Sequence, residues 1–183
     1  RFPGVRALHE VGLTLAKGEV LAVIGENGAG KSTLMKILAG VQTQDTGDIV
    51  IDGKTVLLDS VEAALENGVS LIHQELNLAD NLDVGANIFL GREPMKGLFI
   101  DKARINREAG RFLEMVGLDV DPATIVSDLA IGHQQMVEIA KALSVNSRIL
   151  IMDEPTSSLS TKETESLFKV VKDLRSKGIS VIY

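Results

Sequence analysis

The sequence predicts an α/β protein with a mainly parallel sheet. Two short runs are largely apolar, at residues 20–24 and within 148–155, as in strands that are buried in a sheet. Segments with the helical spacing of apolar residues follow both runs. Strands that alternate with helices favour parallel pairing, because each helix returns the chain to the same end of the sheet.

Length and composition suit one globular domain with an insertion. The chain has 183 residues, of which 45% are hydrophobic and 24% are charged. A net charge of -6 without a dense basic run disfavours a nucleic-acid partner, and the low aromatic content of 3% disfavours a base-stacking platform. The absence of cysteine excludes thiolate metal sites and disulfides.

The first sixty residues predict strands joined by tight turns. "EVGLTLAKGEVLAVIG" reads as two strands around a turn at Lys17-Gly18, the first with apolar residues at alternating positions. "GDIVIDGKTVLL" carries Asp52-Gly53 between apolar runs, which is typical of a hairpin. Ser60 then suits the N-cap of a short helix that ends at Asn67-Gly68, and "VSLIHQ" predicts the next strand.

Residues from about 77 to 147 predict a mostly helical insertion. Two apolar sets have helical spacing, namely Ile105, Ala109, Phe112, Leu113 and Val116, and Met136, Ile139, Ala140 and Leu143. The core is then expected at 1–76 and 148–183. Both ends of the sequence look cut, so we expect 1–183 to be one truncated domain of a longer protein.

The last thirty residues predict a helix and a strand. The pattern from Ser160 to Glu163 is a capping box. The helix that it begins would bury Leu167, Val170, Val171 and Leu174 and would end at Gly178. "GISVIY" then predicts a strand.

A glycine-rich loop predicts a phosphate site. In "GENGAGKST", residues 25–33, four positions match the phosphate-binding loop G-x-x-x-x-G-K-[ST], namely Gly25, Gly30, Lys31 and Ser32. The glycines let consecutive amides point inward, and the helix that starts near Lys31 adds its positive dipole end. Lys31 could reach the β- and γ-phosphates, and the Ser32 hydroxyl could bind Mg²⁺.

Two acidic residues at a strand end predict the second half of that site. "ILIMDEP" places Asp153 and Glu154 directly after an apolar run. Ligands gather at the carboxyl ends of parallel strands. We therefore expect Asp153 to hold Mg²⁺ through its water shell and Glu154 to polarise an attacking water.

Together these motifs resemble the ATP-binding subunits of ABC transporters. "GENGAGKST" is similar to that family's phosphate loop, and "LIMDEPTSSLS" to its magnesium strand, catalytic glutamate and D-loop. "IHQELNL" places Gln74 at the Q-loop position, and "DLAIGHQQMVEIAKAL" stands where the family has its signature sequence. The resemblance covers essentially the whole chain. It implies a P-loop NTPase core with an antiparallel β subdomain and a helical insertion.

The resemblance also implies the site residues. Glu154 and Gln74 are the expected catalytic residues, and Ser32, Gln74 and Asp153 the expected Mg²⁺ ligands. The signature residues, which would act on ATP bound to a partner domain, are Ala130, Gly132 and His133. The nucleotide itself is expected to contact Phe2, Gly25, Asn27, Gly28, Ala29, Gly30, Lys31, Ser32 and Thr33, with the Phe2 ring against adenine.

Within the family, "FPGVRAL" and "QQMVEIAKAL" look most like the tandem ATPases of ribose and galactose importers. Such a protein works with a second nucleotide-binding domain, membrane permease subunits and, indirectly, a periplasmic sugar-binding protein. It would lie on the cytoplasmic face of the inner membrane. Its cofactors would be ATP and Mg²⁺.

The sequence departs from the family pattern in three places. Ala130 stands where the signature usually has serine, and His133 where it usually has glutamine. Either change could weaken hydrolysis at the composite site. The family's switch histidine would follow the strand at Tyr183, so this chain alone is expected to hydrolyse ATP poorly.

Three other functions stay open at this point. One is a soluble ABC ATPase that acts on ribosomes or DNA, and another is a non-catalytic half whose tandem partner does the chemistry. A P-loop kinase is the third, although no acceptor pocket is recognisable. Two single residues have a functional and a simpler interpretation. Phe2 could be a core residue instead of an adenine contact. His73 could be a metal ligand, but no second histidine or carboxylate lies at ligand spacing, so an ordinary histidine at a strand end is favoured.

Overall fold

A computed structural model describes residues 7–74, 76–156 and 159–183. Within these ranges the chain forms short strands and six α-helices, and a 3₁₀ turn at Val126–Asp128. In chain order the elements are β1 (Val20–Leu21), α1 (Lys31–Leu38), β2 (Ile49–Ile51), β3 (Lys54–Val56), α2 (Val61–Glu66), β4 (Val69–Ile72), α3 (Val84–Ile88), β5 (Met95–Lys96), β6 (Phe99–Ile100), α4 (Lys102–Met115), α5 (Ile131–Leu143), β7 (Ile149–Met152), α6 (Thr161–Ser176) and β8 (Ser180–Ile182).

The chain groups into two compact units. The first contains the described residues up to Leu71, together with Ser147–Asp153 and Asp173–Tyr183. The second contains Ile72–Asn146 and Glu154–Lys172. A parallel sheet dominates the first unit, and helices dominate the second.

The main sheet has the strand order β1-β8-β7-β4. β8 pairs in parallel with β1 on one side, where Val20 faces Val181, and with β7 on the other, where Ile151 faces Ile182. The predicted parallel sheet is confirmed. Since β1 and β7 run in the same direction, their carboxyl-terminal ends lie at the same end of the sheet.

The burial predicted for residues 20–24 is wrong. Only Val20 and Leu21 form a strand, and Ile24 is 93% exposed. The reason is that the chain leaves the sheet after Leu21, so Ile24 belongs to the segment that leads into the glycine loop. The alternating segment before Lys17 also forms no strand, although Leu13 and Leu15 pack against the core and the turn at Lys17-Gly18 is present.

The core of the first unit holds α1 and α2 against the sheet. Its buried members are Met35, Ala39, Ala64, Val69, Ile151 and Ile182. Burial of a side chain as large as that of Met35, Val69, Ile151 or Ile182 contributes about 1.5–3 kcal/mol. This packing therefore fixes where α1 begins relative to the strand ends.

The predicted hairpin and short helix of the first unit are confirmed. β2 and β3 pair in antiparallel register around Asp52 and Gly53, whose φ angles of 52° and 75° are both positive, as a type I′ turn requires. Ser60 caps α2 by accepting a hydrogen bond from the Ala63 amide at 3.1 Å. Asn67 is its C-cap residue.

The segment Ile72–Asn146 of the second unit contains α3, α4 and α5 and is mostly helical, as expected of the insertion, whose bounds of about 77–147 stay a prediction. The apolar residues predicted to line α4 and α5 are buried, with Ile105 and Leu113 at 4% and 1% exposure, except for Phe112, which is partly buried. Asn87, which is fully buried in α3, donates to the Ala79 carbonyl and accepts from its amide, so it holds the preceding loop in place. The β5–β6 hairpin was not predicted, because its apolar residues face solvent and give no burial period.

The last helix follows its predicted pattern. Ser160 and Glu163 form the capping box, and Leu167, Val170, Val171 and Leu174 are buried. None of the helices in the described ranges combines the length and the apolar character that crossing a bilayer requires.

The ends of α1 and α4 share one motif, which allows a matched test of a glycine. After α1, the Val41 amide donates to the Lys36 carbonyl, and Gly40 has a φ of 70°. After α4, Leu118 donates to the Leu113 carbonyl, and Gly117 has a φ of 67°. A Cβ at Gly40 would overlap the Ser60 carbonyl oxygen, whereas one at Gly117 would meet nothing.

We expect Gly40→Ala to lower the free energy of unfolding by about 2 kcal/mol or more, since it adds a steric clash to the left-handed strain. Gly117→Ala carries the strain alone and should cost about 1 kcal/mol. Urea denaturation of both variants measures the difference. Equal losses would contradict the close approach of Gly40 to Ser60.

Candidate functional site

The glycine loop joins the end of β1 to the start of α1. Gly28 and Gly30 have φ angles of 84° and 95°, which side chains rarely adopt. Gly30 is the N-cap residue of α1, and a Cβ there would stand 2.6 Å from the Ala7 carbonyl oxygen. Glycine is therefore required at residue 30 for two independent reasons.

The start of α1 offers amides to a ligand. Four other helices have side-chain caps, from Ser60, Asp83, Asp101 and Ser160, whereas α1 has none. In the loop at 25–30, the Ala29 amide is the only one with a backbone carbonyl partner among the described residues, Glu26 at 3.1 Å. Unsatisfied amides at a helix N-terminus form a ready anion site.

The Lys31 side chain folds back over the same loop. Its Nζ donates to the Gly25 carbonyl at 2.6 Å and to the Glu26 carbonyl at 3.0 Å. A cation at a helix N-terminus opposes the helix dipole. These carbonyls offset that penalty and place the ammonium beside the loop amides, so both kinds of donor face one region.

Ser32 and Asp153 bring two oxygens together at the carboxyl-terminal end of β7. The Ser32 hydroxyl of α1 donates to Asp153 Oδ1 at 3.1 Å, although the two residues are 121 positions apart. Asp153 directly follows β7. A hydroxyl and a carboxylate are hard oxygen donors of the type that Mg²⁺ prefers, so this pair fits the predicted metal.

Gln74 and Glu154 form a second pair, within the helical unit. Gln74 Nε2 donates to Glu154 Oε2 at 3.1 Å, and both side chains are exposed. Glu154 has a φ of 48°, in the left-handed region that costs a residue with a side chain about 1 kcal/mol or more. Strain of this kind clusters at functional positions.

The predicted signature residues lie at the start of α5. Ala130 is its N-cap residue and has no side-chain acceptor. The buried Gly132 donates its amide to Glu163 Oε1 at 2.9 Å, and His133 is exposed. Phe2 and the D-loop residues 157 and 158 lie outside the described residues. The roles assigned to all these residues stay predictions.

Two charged side chains of α5 form hydrogen bonds with the backbone of Asn77, and the sequence did not predict them. Glu138, on α5, accepts from the Asn77 amide at 2.8 Å, and Lys141 donates to its carbonyl at 3.0 Å. Glu138 is only 7% exposed, and burial raises the pKa of its carboxyl group, while Lys141 and His73 act in the opposite direction. A charged residue amid the apolar sequence of α5 was the available signal.

Residues 8–157 of the chain match the ABC transporter family. This match begins before the glycine loop and ends after Asp153 and Glu154. It therefore includes all the described site residues named above except Glu163.

Two curated relatives are similar over the whole chain. A putative ribose/galactose/methyl galactoside import ATP-binding protein of Burkholderia ambifaria is 54% identical over 183 residues, which are 100% of this chain and 35% of that protein. The ribose import ATP-binding protein RbsA of Clostridium perfringens is 52% identical, over 100% of this chain and 37% of that protein. The chain thus spans about a third of their length.

Two solved structures share the fold. A nucleotide-free ATP-binding cassette from an ABC transporter has a TM-score of 0.88 at 25% identity and is covered to 76%, over 100% of this chain. The ADP conformation of MJ1267, an ATP-binding cassette of an ABC transporter, has a TM-score of 0.84 at 26% identity, over 99% of this chain and 75% of that one. The predicted fold class is confirmed.

The buried Glu138 carboxyl group makes the free energy of unfolding depend on pH. Its pKa is raised in the folded state, so the folded protein binds more protons than the unfolded one between the two pKa values. The free energy of unfolding therefore falls as the pH rises through that window. Glu138→Gln keeps an acceptor for the Asn77 amide and cannot ionise.

We expect the stability of Glu138→Gln relative to the natural protein to increase from acid to neutral pH. Urea denaturation at several pH values from about 4 upward measures this difference. The matched control is Glu108→Gln, because Glu108 bonds Arg104 on the surface of α4. A pH-independent difference for Glu138→Gln would contradict the burial penalty.

Proposed function

Since the chain belongs to the ABC transporter family, we propose that it is the ATP-binding domain of a sugar importer and contributes to ATP hydrolysis. One observation carries this proposal in the structure. The uncapped start of α1 brings loop amides, the Lys31 ammonium and the Ser32–Asp153 oxygen pair to one end of the sheet.

Each group of the first unit has a defined task in this proposal. The amides of the loop and of the first turn of α1 donate hydrogen bonds to the β-phosphate. The Lys31 ammonium exchanges its bonds to the Gly25 and Glu26 carbonyls for phosphate oxygens. Ser32 and Asp153 would hold Mg²⁺, which supplies positive charge against the triphosphate when it is bound.

In this proposal Glu154 acts on the attacking water, and Gln74 orients Glu154. The exposed Glu154 carboxylate accepts a hydrogen bond from the attacking water and polarises it. Gln74 Nε2, which donates to Glu154 Oε2 at 3.1 Å, holds that carboxylate in one orientation. From the family resemblance alone, we also propose Gln74 as a Mg²⁺ ligand and as a sensor of the γ-phosphate.

The start of α5 acts on a nucleotide held by a partner domain. A glycine amide at a helix N-terminus is suited to an anion, and Gly132 is the glycine in that place. Ala130 and His133 flank it. Pairing of two such domains around ATP would close the site, and hydrolysis would release it.

The relatives' names guide the proposed partners. They include import of ribose, galactose and methyl galactoside. We therefore propose permease subunits and a periplasmic sugar-binding protein as partners, a peripheral position on the cytoplasmic face of the inner membrane, and a simple sugar as cargo. These names favour import over action on ribosomes or DNA.

We expect Lys31→Ala to weaken Mg–ATP binding about tenfold or more, since a charge-assisted hydrogen bond contributes about 1.5–3 kcal/mol. Titration calorimetry measures the affinity. Lys36→Ala, in the last turn of the same helix, is the matched control and should bind normally. An unchanged affinity for Lys31→Ala would remove the phosphate site from its proposed place.

We expect Glu154→Gln in the full-length protein to keep Mg–ATP affinity and to lower the turnover number about a hundredfold or more, because a general base typically contributes about 10²–10⁴-fold. Phosphate release under saturating ATP measures the turnover. Glu165→Gln, an exposed position of α6, serves as the control. Turnover near that of the natural protein would exclude Glu154 as the base.

A further inference from the structure

The Glu163 carboxylate joins the starts of two helices. Its Oε1 accepts the Gly132 amide of α5 at 2.9 Å. Its Oε2 accepts the Ser160 amide at 2.9 Å and the Ser160 hydroxyl at 2.6 Å, before α6. The capping box predicted from the sequence accounts for the Ser160 bonds and leaves the Gly132 bond unexplained.

The single proton of the Gly132 amide is already used in the hydrogen bond to Glu163. In the first turn of α5, the amides of His133 and Gln134 both donate to the Ala130 carbonyl, at 2.9 and 3.0 Å. The Gly132 amide points instead to the carboxylate. A backbone amide has one proton, so it cannot serve Glu163 and a phosphate oxygen with full strength at the same time.

Glu163 also fills the space beside Gly132. A Cβ built on Gly132 would overlap the Glu163 carboxyl group. A phosphate oxygen that reached this amide would therefore come into contact with the carboxylate. Both groups are anions, and like charges at such a distance repel each other.

The carboxylate is charged under ordinary conditions. Hydrogen bonds from Ser160, followed by the Gly132 amide and the nearby His133, lower the pKa of Glu163. Since the side chain is partly exposed, it can turn toward water when its place is taken.

We propose that the Glu163 carboxylate accepts the hydrogen bond of the Gly132 amide in place of a phosphate. It must move away before the γ-phosphate of a partner's ATP can bind to this amide. This inference rests on the proposed function. Glu163 is then a gating residue, which sets how much ATP is needed to close the pair. Mg–ADP, which has no γ-phosphate, does not compete with it.

Two variants of the full-length protein separate gating from capping. Glu163→Gln removes the charge, and Glu163→Asp keeps a charge at the start of α6 but shortens the side chain by one methylene. We expect both to lower the half-saturating Mg–ATP concentration of the ATPase about threefold or more, because a larger fraction of molecules is ready to close. The Mg–ADP affinity, measured by calorimetry, should stay unchanged.

Ser160→Ala is the matched control. It removes the hydroxyl bond to Glu163 Oε2 and leaves the carboxylate on the Gly132 amide. Its half-saturating Mg–ATP concentration should not fall. The proposal is overturned if neither Glu163 variant lowers that concentration, or if Ser160→Ala lowers it to the same extent.

Failure of the proposed function would give a different result. The natural protein would then bind Mg–ATP no better than Lys31→Ala does. A natural protein that binds Mg–ATP through Lys31, combined with unresponsive Glu163 variants, overturns only the gating role.

Discussion

The amides in the first turn of a helix have no partner inside that helix, and this constraint determines where anions belong in this protein. Ser60, Asp83 and Asp101 satisfy it locally for α2, α3 and α4. The helices α1 and α5 begin at Gly30 and Ala130, whose side chains contain no acceptor. Their first-turn amides must therefore be satisfied from elsewhere, by water or by an anion. For α5 that anion is Glu163 of the same chain, and for α1 we assign the triphosphate.

The rest of the first unit serves the start of α1. Parallel pairing of β1 and β7 with β8 places the glycine loop and Asp153 at the same end of the sheet. The small residues Ala39 and Ala64 allow α1 and α2 to pack closely on the strands, and the Ser32–Asp153 hydrogen bond links the helix to the strand end. The second unit uses polar contacts for a similar purpose. Asn87 and the Glu138–Lys141 pair hold backbone groups of Ala79 and Asn77, so its loops are positioned by side chains.

The sequence was informative where one local pattern determines one structure. The glycine loop, the Asp52-Gly53 turn and the capping box were all recognisable, because each depends on residues close together in the chain. The strand at 20–24 was overestimated, since exposure at a sheet edge depends on neighbours that no local pattern specifies. Contacts between distant positions were harder still. Ser32 and Asp153 were predicted as partners only through a shared metal, and the Glu163–Gly132 and Glu138–Asn77 bonds were not foreseen.

The β5–β6 hairpin has a practical consequence for the protein in solution. Leu98 at its turn and Phe99 at the start of β6 are 91% and 80% exposed, and Met95 and Ile100 are more than half exposed. At neutral pH the net charge of -6 keeps copies of the chain apart. Near the isoelectric point of about 5.1 this repulsion vanishes, and the apolar hairpin is then free to attract another molecule. Mild acidification should therefore promote association of folded molecules through exposed apolar surface such as this hairpin.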